Sequence, residues 1–242
     1  MSNFIEKVVA KQNDIKNNPA VTVAFLGDSV TQGCFELYKK TETEIETVFD
    51  KNSAYHKYLA DIFTVLCPNV PVNIINAGIS GDNAPHGFER LERDVLSHNP
   101  DLVVVCFGLN DCGQGMEGIE KYTKALSDIF DRVMASGSEL IFMTPNMMCT
   151  EVSCHITDDL IKSVAENIAK LQNDGILDAY IDAAKKLCAE KGVTVCDCYA
   201  KWKRMAEVGI DVTELLSNKA NHPTREMNWL FAYSLAETIF EM

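Results

Sequence analysis

The chain has 242 residues, enough for one α/β domain of ordinary size or at most two small ones. Its composition, 47% hydrophobic and 24% charged, is typical of a soluble globular protein. Its formal net charge of −13 disfavours nucleic acid and anionic membranes as partners, because both are negatively charged. The N-terminal stretch MSNFIEKVVAKQND lacks an apolar core of signal-peptide length, and no apolar run approaches the roughly 20 residues of a membrane span.

The nine cysteines point to a reducing compartment. Their number is odd, they are scattered along the chain, and no CxxC pair occurs. We therefore expect reduced thiols and a cytoplasmic protein. The spacing of zinc ligands is also missing, so we expect no metal.

Five short β-rich runs alternate along the chain with segments of helical spacing. The runs are nearly continuous in apolar residues, which is typical of strands buried on both faces of a parallel sheet. Strands are predicted over 20–27, 70–78, 101–108, 138–145 and 192–199. Helices are predicted over 53–66, 84–98, 118–135, 158–172, 174–191 and 224–241.

This alternation predicts a single-domain, three-layer α/β/α fold with a five-stranded parallel sheet. No internal repeat, low-complexity segment or linker divides residues 1–242. The polar segment 34–52, CFELYKKTETEIETVFDKN, is long for a connection between a strand and a helix. It is either a functional insertion or the front of a longer helix.

Polar residues follow the predicted strands where ligands bind in such sheets, at the carboxyl ends of the strands. A last polar block precedes the C-terminal helix. The blocks are Gly27-Asp28-Ser29, NAGISGDN at 76–83, GLND at 108–111, TPN at 144–146 and NHPT at 221–224.

These blocks can be assembled into a site for acyl transfer. Ser29 is the candidate nucleophile, although Asp28-Ser29 alone is equally what a helix cap needs. His222 is the candidate base because the unperturbed pKa of histidine lies near neutrality. The backbone N–H groups of Ser29 and Gly81 and the side-chain amide of Asn110 are candidate oxyanion donors.

The four blocks containing Ser29, Gly81, Asn110 and His222 resemble those of the SGNH hydrolases, also called the GDSL esterase/lipase superfamily. They occur in the family's order and span residues 27–223. The resemblance implies a flavodoxin-like SGNH hydrolase fold and ester hydrolysis through an acyl-enzyme, with no metal or organic cofactor. It maps the nucleophile to Ser29, the base to His222, the glycine oxyanion donor to Gly81 and the asparagine donor to Asn110.

One position departs from the family pattern. The family usually has an aspartate three residues before the histidine, whereas this chain has Lys219. A lysine ammonium cannot accept the imidazole N–H hydrogen bond. Three explanations remain open: a backbone carbonyl in 217–220 orients His222, a side chain such as Asn218, Glu214 or Asp211 reaches it, or the protein is a poor catalyst.

Four further residues are candidates for the surroundings of the site. Asp28 is expected to brace the nucleophile loop, and Glu36 to face the crevice with the 34–52 segment. Asn146 and Met147 either line the acyl or alcohol pocket or pack the loop after the fourth strand.

The polar strand ends favour a short-chain acyl ester, with acetyl on a carbohydrate as the leading substrate. The superfamily that the chain resembles also includes thioesterases, lysophospholipases and acyltransferases. A binding module that has lost efficient catalysis is the alternative from another class, because of Lys219. The sequence leaves a homo-oligomer open.

Overall fold

Seven strands and nine α-helices form within residues 2–242, the part of the chain described by the structure, a computed structural model. The strands are β1 (Val21–Gly27), β2 (Cys34–Lys39), β3 (Ile45–Phe49), β4 (Val72–Gly78), β5 (Leu102–Cys106), β6 (Glu139–Met143) and β7 (Thr194–Cys196). The helices are α1 (Asn3–Asn13), α2 (Ser29–Gln32), α3 (Tyr55–Leu66), α4 (Ala84–Asp94), α5 (Ile119–Ala135), α6 (Asp159–Asn173), α7 (Ile176–Lys191), α8 (Cys198–Glu207) and α9 (Asn228–Glu241).

The main sheet has five parallel strands in the order β4-β1-β5-β6-β7. Counted along the sheet strands alone, this is the 2-1-3-4-5 order of flavodoxin-like folds. The predicted five-stranded parallel sheet with flanking helices is thus confirmed. In the register, Gly27 pairs with both Gly78 and Cys106, so β1, β4 and β5 end at the same level. The blocks that follow these strands therefore emerge side by side.

The apolar runs become strands because they can be buried on both faces. Every residue of β5 is buried, and in β1 only Thr22 is partly exposed. Edge strand β4 is less enclosed, and only Ala77 within it is buried. β7 is shorter than predicted: its run stops at Cys196, and Asp197 caps helix α8 by accepting the Ala200 N–H.

The 34–52 segment folds mainly as a separate antiparallel hairpin made of β2 and β3. The longer helix is therefore wrong, and the segment is a hairpin inserted between α2 and α3. The base of the hairpin is closed by a hydrogen bond of 2.8 Å from the Asp50 N–H to the Gly33 carbonyl. Gly33 is left-handed, with φ of +94°, and this lets the chain leave α2 and turn directly into β2.

Candidate active site

Ser29 is the first residue of α2, two residues beyond the end of β1. Asp28 caps this helix by accepting the Val30 N–H at 3.0 Å, and Ser29 itself is buried. The turn is tight because glycines flank it. A Cβ on Gly27 would lie 2.1 Å from the Thr31 hydroxyl, and one on Gly78 would lie 2.2 Å from the Gln32 nitrogen. Neither glycine has a positive φ, so both are needed for close approach.

The structure brings Ser29 and His222 together. The Nε2 atom of His222 lies 2.9 Å from the Ser29 hydroxyl oxygen, and its Nδ1 atom lies 2.8 Å from the backbone carbonyl oxygen of Phe35. A carbonyl can only accept, so Nδ1 carries the ring hydrogen of the neutral imidazole. The Nε2 lone pair is then free to accept the serine proton.

The loop that carries His222 is held by Asn218. Its Oδ1 accepts the backbone N–H groups of Ala220, Asn221 and His222, at 3.0, 2.9 and 2.9 Å. Lys219 has a φ of +55° and donates from Nζ to the carboxylate of Glu214 at 2.9 Å.

Among the predicted ways of orienting His222, the backbone carbonyl is the right kind of group, but the segment 217–220 is wrong. Phe35 supplies the carbonyl from β2. Asp211 accepts the Thr213 N–H instead of reaching the histidine. Glu214 pairs with Lys219. A carbonyl belonging to the inserted hairpin has no side-chain signature, so the sequence could not reveal it.

Two backbone donors near Ser29 are unused. Within residues 2–242, neither the Ser29 N–H nor the Gly81 N–H has an assigned hydrogen-bond acceptor. Gly81 has a φ of +77°, and its loop is tied to α2 by a 2.7 Å bond from the Ser80 N–H to the Gln32 side chain. Asn110 donates from Nδ2 to the Asp82 carbonyl at 2.8 Å, which leaves its second amide hydrogen available.

Arg90 is a buried arginine that sequence reasoning missed. From α4 it donates to the carbonyls of Gly27 and Ala77 at 2.9 and 2.6 Å. It also donates to the Asp82 carboxylate at 2.6 Å, and both side chains are less than a tenth exposed. Arg90 thereby fastens the ends of β1 and β4 to the loop that carries Gly81. Its position on an amphipathic helix gave no signal of this role.

Two buried carboxyl groups brace the same loops. Asp111 accepts the N–H groups of Ala84 and Gly108, at 3.0 and 3.1 Å. Burial raises the pKa of Asp111 to about 6. Burial, assisted by the charges of Asp111 and Asp82, raises the pKa of Asp28 to about 7. Asp28 thus has the bracing position expected from the sequence.

The surroundings of His222 keep its ring neutral. Burial lowers the pKa of His222, while the Phe35 carbonyl and the negative charge of Glu36 act in the opposite direction. An imidazole with a lowered pKa is unprotonated at neutral pH, which is the form that can take a proton.

The other residues predicted to line the pocket make contacts within the protein. Glu36 is paired with Arg225. Asn146 is fully buried and donates to the Asn221 carbonyl at 2.9 Å, and Met147 is 4% exposed. Loop packing therefore describes Asn146 and Met147 better than pocket lining, since neither offers surface to a substrate.

Two clefts that contain polar side chains border the site. One of about 230 Å³ is lined by Asn83, Asn110 and Gln114, and another of about 330 Å³ by Glu36 and Asn218. The second cleft also contains Leu37, Ile156 and Ile161. A larger groove of about 610 Å³ lies between α5 and α7 and contains none of the predicted site residues.

Two absences within the described part of the chain concern clusters of metal-binding side chains and helices able to span a membrane. Residues 2–242 hold no group of three or more histidine, cysteine, aspartate or glutamate side chains that could bind a metal ion. None of the helices in this range is long and apolar enough to cross a membrane.

A family model of the GDSL-like Lipase/Acylhydrolase family matches residues 25–230, which include the four blocks that contain Ser29, Gly81, Asn110 and His222. The chain belongs to this family. The resemblance to SGNH hydrolases seen in the sequence is confirmed by this match. The N-terminal helix α1 lies outside the matched range.

Two relatives match part of the chain in sequence. An acetylxylan esterase of Geobacillus stearothermophilus is 29% identical over 87 residues, which are 36% of this chain and 38% of that protein. An arylesterase of Vibrio mimicus is 35% identical over 74 residues, 30% of this chain and 36% of that protein. The chain thus matches little more than a third of the length of either relative.

Solved structures match the fold over nearly the whole chain. An acetylxylan esterase from Geobacillus stearothermophilus superposes with a TM-score of 0.65 at 20% identity, covering 90% of this chain and 94% of that one. A two-domain esterase active on acetylated mannans superposes with a TM-score of 0.67 at 18% identity, covering 98% of this chain and 52% of that one. At these identities the likeness is one of fold.

Proposed function

We propose that this protein is a serine carboxylic ester hydrolase in which Ser29 is the nucleophile and His222 the general base. The observation that carries the proposal is the relay from the Ser29 hydroxyl to Nε2 of His222, and from Nδ1 to the Phe35 carbonyl, at 2.9 and 2.8 Å. A serine hydroxyl needs a base within this distance to become nucleophilic. The relay is a Ser–His dyad in which a backbone carbonyl orients the histidine.

In the first half of the reaction, the Ser29 oxygen attacks the ester carbon as its proton moves to Nε2 of His222. The imidazolium formed is stabilised by the Phe35 carbonyl dipole. The protonated His222 then gives its proton to the leaving alcohol, and the acyl group stays on Ser29. In the second half, His222 takes a proton from the water that attacks the acyl carbon. It then returns this proton to the Ser29 oxygen as the bond between Ser29 and the acyl group breaks and the acid leaves.

The oxyanion formed in both halves needs donors that are in place before the reaction. We assign this role to the N–H groups of Ser29 and Gly81 and to the Asn110 amide. The assignment is supported by the unused state of both N–H groups within residues 2–242 and by the fixed side chain of Asn110. Loss of one such donor lowers the rate by about 10² to 10³.

A short acyl group, acetyl above all, on a carbohydrate or similar polyhydroxylated alcohol is the substrate we propose. Polar side chains line both clefts that border the site, and hydroxyl-rich alcohols are recognised by such groups. The relatives with related sequence or fold are named as esterases, several of them acting on acetylated polysaccharides.

The remaining assignments extend this proposal. We place the reaction in the cytoplasm on the basis of the nine free cysteines, seven of which are buried. The partner is a small-molecule ester, not a nucleic acid or a membrane, and the whole chain acts as one catalytic domain without a metal or cofactor.

The test compares Ser29→Ala and His222→Ala with wild type on p-nitrophenyl acetate, butyrate and octanoate. Each substitution is expected to lower kcat by at least about 10³-fold, because removal of any member of such a relay leaves little more than binding and the oxyanion hole. Turnover by wild type is expected to fall as the acyl chain lengthens.

The control is Ser97→Ala, an exposed serine of the 3-10 turn at 96–98 whose hydroxyl donates to the Arg93 carbonyl. Normal turnover by Ser29→Ala with an intact circular dichroism spectrum contradicts the proposal. A wild type that shows no serine-dependent turnover on any of the three esters directs attention to an acyltransferase or a binding protein.

A further inference from the structure

One side chain, Arg225, joins the segment that carries His222 to the inserted hairpin. Its Nε donates to Asp50 at 3.1 Å, and its two Nη atoms donate to the two carboxylate oxygens of Glu36, with Nη2 at 3.1 Å. The guanidinium also lies over the ring of Phe35, 4.3 Å from the ring centroid. Arg225 therefore contacts β2 and the residue that follows β3 at the same time.

These contacts fall on the residues that orient the base. Phe35, whose ring lies under the guanidinium, is the residue whose carbonyl accepts the Nδ1–H of His222. Glu36 is the next residue along β2. Arg225 is only three residues beyond His222, so the same segment holds the hairpin and presents the imidazole.

We propose that Arg225 is a positioning residue that keeps the Phe35 carbonyl against His222. In the same proposal, the Arg225–Glu36–Asp50 cluster supplies negative charge in place of the catalytic acid that this site lacks. The proposal rests on the proposed function, because it explains how the base of that reaction is oriented. A planar guanidinium suits this role, since it can bind a carboxylate with two parallel bonds and stack on an aromatic ring together.

The cluster carries one net negative charge, because two carboxylates face one guanidinium. Hydrogen bonds from Arg225 lower the pKa of Glu36, so its carboxylate is charged at neutral pH. The other groups facing His222 are the Ser29 hydroxyl from α2 and the Phe35 carbonyl from β2, both neutral. On the segment that carries His222, the charges of Lys219 and Glu214 neutralise each other.

Two substitutions separate the charge from the geometry because they move the pKa of His222 in opposite directions. Glu36→Gln removes a negative charge, so the acid limb of kcat/KM moves to lower pH. Arg225→Met removes the positive charge, so the acid limb moves to higher pH. Each displacement is expected to be about a few tenths of a unit to one unit. A purely structural role would not displace the limb in opposite directions.

Arg225→Lys keeps the charge and loses the fork and the stack. We expect it to leave the acid limb in place and to lower kcat by about tenfold to a hundredfold, with KM changed less than about twofold, because misplacement of the base affects mainly the transition state. The matched control is Arg132→Met, which breaks an exposed ion pair with Glu92 and has no contact with the hairpin.

The experiment measures covalent labelling of Ser29 by a fluorophosphonate probe, together with pH profiles of p-nitrophenyl acetate hydrolysis. In labelling, the serine oxygen bonds to phosphorus, fluoride leaves, and His222 takes the proton. Labelling is expected to be slowed by about tenfold or more in Arg225→Met and Arg225→Lys and unchanged in Arg132→Met. Thermal unfolding shows which variants are folded. If Arg225→Met does not fold, the labelling rate of Arg225→Lys alone tests the positioning role.

The outcomes distinguish this proposal from the one it rests on. If wild type and Ser29→Ala are labelled alike, the proposed function fails and the positioning role fails with it. If wild type is labelled through Ser29 but Arg225→Lys is labelled equally fast, only the positioning role is overturned. If the acid limb moves the same way in Glu36→Gln and Arg225→Met, the contribution of charge is overturned.

Discussion

The hydrogen bond from His222 to the Phe35 carbonyl does part of what a carboxylate does in a serine triad. This bond fixes the orientation of the ring. It also fixes the tautomer, because a carbonyl oxygen can only accept and Nδ1 must therefore carry the hydrogen. It provides a dipole, whereas a carboxylate provides a full charge. The ring stays in place through its buried position and the three backbone bonds that Asn218 accepts from its loop.

Lys219→Asp restores the residue that the family usually has at this position, yet we expect kcat/KM to change by less than about threefold. Nδ1 of His222 already donates to Phe35, and the Lys219 side chain is directed to Glu214. The left-handed φ of +55° is tolerated by aspartate at least as well as by lysine.

The measurement is steady-state hydrolysis of p-nitrophenyl acetate, with Lys219→Asn as the uncharged control. A gain of tenfold or more in Lys219→Asp, absent in Lys219→Asn, would show that the carbonyl is an inadequate substitute for the acid.

At the scale of elements, the sequence predicted what depends on local hydrophobic pattern. The five parallel strands and the helices between them were recognisable because each buries a continuous or periodic apolar face. α1 and α8 were not predicted, and α8 was hidden because the apolar run of β7 continues into it at Cys198. The hairpin was ambiguous because its strands are short and half-exposed, and KKTETE at its tip suits a helix equally well.

The candidate site divides in the same way. Ser29, Gly81 and Asn110 were expected close together because strand ends of a parallel sheet converge on one edge. His222 was proposed from its residue type and from the family pattern, since its block precedes the last helix. The Phe35 carbonyl, Arg90 and Arg225 act through contacts between residues that are far apart in sequence. Such contacts leave no pattern of residue spacing from which they could be predicted.

Arg90 of α4 joins the ends of β1 and β4 through its hydrogen bonds. We expect Arg90→Met to lower the free energy of unfolding by about 3–5 kcal/mol. The substitution leaves the buried Asp82 carboxylate without its arginine and removes one hydrogen-bond donor from each of the Gly27 and Ala77 carbonyls. Urea unfolding followed by circular dichroism measures this difference.

Arg93→Met is the matched control on the same helix. The Arg93 side chain is 75% exposed and pairs with Asp94, so its loss is expected to change the free energy of unfolding by less than about 1 kcal/mol. Equal losses in the two variants would mean that burial of the Arg90 pair contributes nothing to the stability of this edge.

At the scale of the whole molecule, buried titratable groups make opposite contributions to stability as pH changes. Burial raises the pKa values of Asp28 and Asp111 to about 7 and about 6, so stability from these groups is lost as pH rises. Burial lowers the pKa of His56 to about 4 and lowers that of His222, so stability from these groups is lost as pH falls. The contributions overlap between about pH 4 and pH 6.5 and partly cancel there.

Asp28→Asn isolates one of these contributions. Asparagine caps a helix as well as aspartate does, so the bond from the Val30 N–H is retained while the titration is removed. In wild type, the contribution of Asp28 is complete below its ordinary pKa of 3.8 and is lost as pH rises through about 7. We therefore expect the variant to match wild type near pH 4 and to be more stable near pH 8, by on the order of 2 kcal/mol.

Urea unfolding at several pH values provides the comparison, and Asp158→Asn is the control because Asp158 also caps a helix but has a lowered pKa. Backbone N–H groups of Ile161 and Leu160 stabilise the Asp158 carboxylate, so its replacement gives no gain at pH 8. A stability difference between Asp28→Asn and wild type that is the same at pH 4 and pH 8 would mean that Asp28 ionises as freely in the folded protein as in the unfolded chain.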